Sequence, residues 1–305
     1  MTNPASNSVP NPRPRIICCG DVIDDVIVVP LETIRVDTDT TSSIRFVPGG
    51  SAANTASWLG VSGAAVDFVG RVASGDVHRH GELLSRCGVT AHLAPHDTLP
   101  TGTIVIIVEG ETRTMLTESG ANAELDTRDV TDALLAEASV LYLTGYTLFN
   151  RPDTGAFTEL IARAVASGVT VAIDPGSAGF ITDFGVDRFL EAVAGVSIFL
   201  PNLDEGQLLT GLVDPAEVAA ALTEFFPVVA LTMDVDGIVV AERGSAPISV
   251  AVAHTAAVDP TGAGDSFSAG FLHEWMASGD VALAATAGAA LAARAVSTIG
   301  ARPQV

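Results

Sequence analysis

Short apolar, β-branched runs bounded by Gly, Asp or Pro recur at residues 16–20, 65–70, 140–144, 169–174, 196–201 and 228–232. They are too short for helices and lack polar alternation, so they predict strands buried on both faces, as in a parallel sheet. Between them, residues 76–87, 153–167 and 186–194 carry helical patterns, each followed by a glycine at Gly88, Gly168 or Gly195. Strand and helix alternating through short connections predict an α/β fold: a doubly wound, mostly parallel sheet with helices on both faces.

Two stretches break the rhythm. Residues 26–47 and 102–117 are β-rich without a helical period, and read as strands of a small accessory sheet inserted into the main domain. Two ordinary surface hairpins give the same pattern. Residues 1–15 hold four prolines and no apolar run, and predict a flexible tail ahead of one folded unit over 16–305. No internal repeat is visible.

Composition narrows the chemistry. With 305 residues and 48% hydrophobic positions the chain can build a large core. The formal net charge of −21 repels phosphate backbones and anionic lipid, which argues against nucleic-acid and membrane partners. All 15 basic residues are Arg, so lysine chemistry is excluded: no Schiff base, no Walker A lysine, no protein-kinase strand lysine. Any phosphate must be held by backbone amides, Arg or a metal. Three cysteines without zinc spacing predict a reducing, cytoplasmic setting. The uncharged run 281–293 is too short for a bilayer span, which takes about 20 residues. The six His show no paired ligand spacing, His78 and His80 read as a solvated helix face, and no G-x-S-x-G elbow is present.

The sharpest local signal is Asp259-Pro260-Thr261-Gly262-Ala263-Gly264-Asp265, leading into a helix that runs to about Ser278. Two glycines at a helix start leave backbone N–H groups bare, which makes an anion cradle, and Asp265 is placed to accept a proton from a hydroxyl beside it. An Asp that only caps the helix is the plainer alternative. A dinucleotide fingerprint fails because Phe267 stands where Gly or Ala is needed. Gly49-Gly50 opens a second helix with Asn54 one turn in, so a ligand can approach the backbone there; a tight turn with Ser51 as N-cap fits equally. Asp25 lies beyond the carboxyl end of the first strand, where ligands of open α/β sheets sit, although a solvated loop Asp is commoner. Asn202 and Glu205, three apart after another strand, suit a hydrated Mg²⁺ and also a capping box.

Together, Gly49-Gly50 with Asn54, Asn202 with Glu205 and the Asp259–Asp265 segment resemble the signatures of the ribokinase (PfkB) carbohydrate kinase family, in order and across nearly the whole chain. The resemblance implies an ATP-dependent sugar kinase that phosphorylates a hydroxymethyl group of a ribose-like or ketose-like carbohydrate. Asp265 would be the base, and the amides of Gly262, Ala263 and Gly264 the anion hole. Asp25, Gly49, Gly50 and Asn54 would hold the acceptor, Asn202 and Glu205 would organise Mg²⁺ through water, and Thr232 and Gly237 would lie beside the nucleotide. The β-rich insertions would be the lid and the contact of a homodimer. Asp259 and Thr261 fall where relatives bind a monovalent cation, usually K⁺, and Gly120-Ala121-Asn122 is similar to the family as well. Relatives commonly carry Thr-x-Gly-x-x-Gly where this chain reads Thr232-Met233-Asp234-Val235-Asp236-Gly237, and a carboxylate at Asp234 would repel phosphates unless it turns outward. A nucleoside kinase, with Phe46 stacking on the base, is the alternative, and a non-catalytic ligand sensor on the same fold a further one.

Overall fold

The computed structural model describes residues 14–110, 112–149, 154–252 and 258–305. The tail expected over 1–15 lies outside these residues up to 13, as does Asp153 at the expected start of one helix. In chain order the first half forms β1 (Arg15–Cys19), β2 (Ile23–Pro30), β3 (Ser42–Gly49), α1 (Ser51–Val61), β4 (Ala65–Ala73), α2 (Val77–Arg86), β5 (Val89–His96), β6 (Gly102–Glu109), β7 (Thr112–Glu118), α3 (Asp132–Glu137), β8 (Val140–Thr144) and α4 (Tyr146–Phe149). The second half adds α5 (Gly155–Ala166), β9 (Thr170–Asp174), α6 (Ala178–Phe184), α7 (Val186–Ala192), β10 (Ile198–Phe199), α8 (Leu203–Thr210), α9 (Pro215–Leu222), β11 (Val228–Thr232), β12 (Ile238–Glu242), β13 (Ile248–Val250), α10 (Ala263–Ser278) and α11 (Val281–Val296).

The apolar runs pair as predicted into a sheet of order β13-β12-β11-β10-β9-β8-β1-β4-β5, parallel from β5 to β11 and closed by two antiparallel strands. Alternate residues feed opposite layers. Ile16, Cys18 and Tyr142 pack on the side of α1 and α10 with Trp58, Phe267 and Phe271. Ile17, Cys19 and Leu143 face the other layer with Phe157, Phe189 and Phe226. Each such fully buried side chain contributes about 1.5–3 kcal/mol, which is why these strands carry no polar alternation. The strand order runs both ways from β1, so the crevice beyond the carboxyl ends of β1 and β8 is the topological switch point where ligands of open sheets bind.

The two β-rich insertions form a separate sheet of order β3-β2-β6-β7, in which β2 and β6 run parallel and each hairpin is antiparallel. These strands reach beyond the expected bounds of 26–47 and 102–117 at three of their four ends, because the register begins at Ile23↔Gly49. Asp25 therefore belongs to a lid strand, not to a loop beyond β1. The strand expected over 196–201 shrinks to Ile198–Phe199, since Pro201 has no N–H to continue the ladder. The edge strand β5 and the closing β12 and β13 were not legible as strands of the sheet. His80 is buried, contrary to the solvated face expected, with Nε2 3.5 Å from Asp24 Oδ1, while His78 is exposed. The uncharged run 281–293 is α11, which crosses α10 so closely that a Cβ on Gly270 would lie 2.8 Å from the Ala287 carbonyl oxygen. Among the described residues no helix is long and apolar enough to cross a membrane.

Candidate active site

A cavity of about 520 Å³ opens at the switch point between the main sheet and the lid. Its floor is the first turn of α10. Gly262 is the N-cap, in a left-handed conformation (φ 79°), and a Cβ there would lie 2.8 Å from the Ala301 backbone, so only glycine fits. Gly264 is different: the nearest atom to an added Cβ is Asp174 Oδ2 at 3.9 Å, so the space over this residue belongs to the cavity. Gly262, Ala263 and Gly264 line that cavity at the N-terminus of a 16-residue helix, but the Ala263 N–H already donates to the Pro260 carbonyl oxygen at 3.2 Å, so of the three expected amides it is not a bare one.

Asp265 follows on the same wall. Its Oδ1 accepts from the Ser51 hydroxyl at 2.6 Å and its Oδ2 from the Asn54 amide at 2.8 Å. Burial pushes its carboxyl up to about 7, and the charges of Asp174 and Asp21 add to that against the two hydrogen bonds. A carboxylate with this affinity for a proton is matched to general-base work near neutral pH. The capping alternatives for both residues fail. Asp265 is not the N-cap of α10, and the N-cap of α1 is Gly50, whose φ of 95° leaves Ser51 free to reach Asp265. The N-terminal amides of α1 are served instead by Asp21, which accepts from Ser51 N at 2.8 Å and Ala52 N at 3.1 Å.

The acceptor-side residues converge from three elements. Asp25, Gly50 and Asn54 line the cavity, whereas Gly49 stands behind it. A Cβ on Gly49 would lie 2.1 Å from the Asp25 carboxylate, so the glycine makes room for that side chain. Burial raises the Asp25 carboxyl to about 7 even though the Arg302 charge opposes it. Arg302 is buried and donates through Nε to Asn54 Oδ1 at 3.1 Å and through Nη2 to the Gly49 carbonyl oxygen, which fixes the amide that in turn holds Asp265. Asn122, from the Gly120-Ala121-Asn122 segment, clips the β1–β2 loop by accepting from Val22 N at 3.0 Å and donating to the Val22 carbonyl oxygen at 2.8 Å.

On the opposite side, Asn202 and Glu205 form the capping box of α8: Asn202 N donates to Glu205 Oε2 at 2.8 Å, and Glu205 N to Asn202 Oδ1 at 2.9 Å. Both line the cavity with Asp174. Burial raises the Asp174 carboxyl, with the Glu205 charge adding to it, and burial raises Glu205, with the Asp204 charge adding, so a cation here would offset unfavourable negative charge. Among the described residues no cluster of three or more His, Cys, Asp and Glu could hold an ion by itself. This sparse oxygen set fits Mg²⁺ that keeps its waters and leans on phosphates.

Thr232 joins the cavity to a second, more apolar one of about 350 Å³, lined by Gly237, Ile238, Val252, Phe267, Ala289 and Val296. Gly237 is glycine for backbone reasons, with φ 107° and the Val250 carbonyl oxygen 2.7 Å from any Cβ. Asp234 is exposed, with φ 48°, and lines the second cavity but not the one that holds Asp265. Phe46 does not reach either cavity: it is 77% exposed on β3, and the aromatic wall is made by Tyr146, Phe149 and Phe180. Asp259 lines neither cavity, and its carboxylate, with the Thr261 hydroxyl, already holds the guanidinium of Arg113. Asp21, Ser51, Asp174, Arg302 and Arg113 were missed in the sequence. Ser51 follows Gly49-Gly50 and was read only as a cap; the others have no local signal that marks their role, because each serves a residue distant in the chain.

The sequence profile described as pfkB family carbohydrate kinase matches residues 13–305. An ATP-dependent ribose-1-phosphate kinase of Halopiger xanaduensis is 31% identical over 88% of this chain and 86% of its own. A ribokinase of Haemophilus influenzae is 27% identical over 82% and 81%. The crystal structure of adenosine kinase from Sinorhizobium meliloti superposes with a TM-score of 0.83 at 25% identity, covering 96% of each chain.

Proposed function

Because the chain belongs to the pfkB family of carbohydrate kinases, and is thus a phosphotransferase acting on a sugar-type hydroxyl, we propose that it transfers the γ-phosphoryl group of ATP to a hydroxymethyl of a ribose-like or ketose-like carbohydrate. The observation that carries this reading is Asp265. It is a proton-avid carboxylate on the first turn of α10, between a glycine cradle on one side and Asp25 with Asn54 on the other. Asp265 takes the proton of the acceptor hydroxyl, which makes the oxygen a nucleophile only when it is already in place. The N–H groups at the start of α10 stabilise the charge that spreads over the transferring phosphoryl oxygens. Asn202, Glu205 and Asp174 would hold Mg²⁺ through its waters, and the metal when bound would supply charge neutralisation for the phosphates. The apolar second cavity suits the adenine ring, and the ribose–phosphate axis then passes Thr232 toward Gly264. The lid covers the acceptor and excludes water from the transfer.

Turnover by ADP release with Mg²⁺-ATP against pentoses, ketoses, hexoses, phosphorylated pentoses and nucleosides tests this. Activity confined to carbohydrates and abolished in Asp265→Asn supports it. Activity with adenosine alone would replace it by the nucleoside reading, which the Tyr146–Phe149–Phe180 wall favours. Silence across the panel, with ligand binding retained, would leave the sensor.

We extend the proposal to a cytoplasmic homodimer. Three buried cysteines, Cys18, Cys19 and Cys87, suit a reducing compartment. The lid edges expose Ile44 and Phe46 on β3 and Leu116 on β7, an apolar rim that a second lid would cover, whereas Met115 faces the cavity.

A further inference from the structure

Arg113 is the second residue of β7, beside the lid hairpin tip, and its guanidinium bridges the lid to the segment before α10. Nη2 donates to Asp259 Oδ1 at 3.1 Å and Nη1 to Thr261 Oγ1 at 2.8 Å. The Thr261 hydroxyl gives its own proton to Asp259 Oδ1 at 2.7 Å, so the three side chains close a ring in which each donor has an acceptor. Two backbone amides complete the set: Thr261 N donates to Oδ1 at 3.0 Å and Gly300 N to Oδ2 at 3.0 Å. Three of these donors converge on Oδ1 and one on Oδ2, so Oδ1, with about two lone-pair directions, is fully used. An alkali ion at Asp259 Oδ1 and Thr261 would have to displace a donor, and one at Oδ2 would sit within a few ångström of the permanent positive charge of Arg113. The expected K⁺ therefore does not fit the residues present.

We propose that Arg113 replaces the monovalent cation beside the glycine cradle, so that this enzyme neither binds nor requires K⁺ and receives the charge from its own lid. The inference rests on the kinase reading for its purpose, not for its test. A guanidinium on a hinged sheet differs from a diffusible ion: its local concentration is set by lid position, and it contributes next to Gly262 only when the lid is down. Charge neutralisation of Asp259 and exclusion of water from the acceptor then happen in one movement.

The test measures Rb⁺ and Tl⁺ binding to the full chain by calorimetry. It also measures melting temperature and turnover in KCl, RbCl, NaCl and choline chloride at one ionic strength. The wild type should show no saturable Rb⁺ or Tl⁺ binding, one melting temperature in all four salts and no K⁺ activation. Arg113→Ala and Arg113→Met should gain saturable binding and a K⁺-over-choline activation of about tenfold. Saturable binding by the wild type, or a melting temperature that rises in KCl over choline, would overturn the proposal. So would Arg113 variants that stay indifferent to the ion at full activity. Binding and melting read the cation site without turnover, so a wrong substrate assignment cannot be mistaken for a wrong cation.

Discussion

Replacing Asp265 by Asn removes a proton acceptor while keeping the shape, and should lower turnover by roughly 10²–10⁴-fold, with ATP binding followed by fluorescence little changed. The wild-type kcat/KM should climb with pH and level off above about 7, where Asp265 is ionised. The same groups set the stability profile. Asp265 and Asp25 titrate near 7 folded against 3.8 unfolded, so between these values the folded chain binds more protons. Their contribution is complete below about pH 4 and is lost as pH rises to about 7. Asp24, Asp76 and Asp259, all held low, act in the opposite sense below pH 4. Thermal unfolding from pH 4 to 8 should thus show a falling melting temperature, and Asp265→Asn and Asp25→Asn should each flatten it. The glycines of the cradle separate space from strain. Gly262→Ala forces a left-handed backbone and a clash, costing about 1–2 kcal/mol or more in denaturant unfolding. Gly264→Ala meets only Asp174 Oδ2, at an ordinary contact distance of 3.9 Å. It should keep stability while losing activity, because the methyl enters the ligand's space. Asp259–Asp265 and Gly49–Asn54 were legible because glycine and acid at a helix start have few other uses. Asp21 and Arg302 were not, because an isolated Asp in a β1–β2 loop and an Arg near a chain end look like any solvated residue.

The elements extend the argument to the lid. Its strands were visible as β-rich runs without a helical period, but their pairing was not. That β2 pairs in parallel with β6, with Ile23 opposite Gly102, is a contact across distant chain, since the two insertions leave the main sheet after β1 and β5, on either side of β4. The half-exposed faces of β5 and β7 carry weak alternation, which is why edge strands are the least legible elements. If the lid rim is the dimer contact, Phe46→Asp should convert a dimer to a monomer in sedimentation velocity. The melting temperature of the isolated subunit should hold, because a 77% exposed side chain supports no core. A wild-type monomer would remove the dimer reading. The α1 N-terminus shows the division within one element: the helix over Ser51–Val61 was expected from Gly49-Gly50 and the apolar pattern, yet its cap comes from Asp21, 30 residues upstream.

The whole molecule carries a formal charge of −21, and self-repulsion on that scale opposes the compact state and is screened by salt. Raising NaCl from 0.05 to 1 M should therefore raise the melting temperature at pH 7, and a fall would contradict it. The alternating apolar runs and helical patterns by themselves predicted the α/β fold, and the absence of lysine with the glycine–acid segments limited how a phosphate could be held, because composition and short-range spacing are properties of the chain before it folds. Only the tertiary structure decided the proton affinity of Asp265, since that depends on burial and on carboxylates from β9 and the β1–β2 loop. It alone also placed Asp25 in the lid, made Tyr146 rather than Phe46 part of the wall, and set Arg113 against Asp259. These are contacts between residues far apart in the chain, and their partners are chosen by sheet order and lid register, which no local pattern encodes.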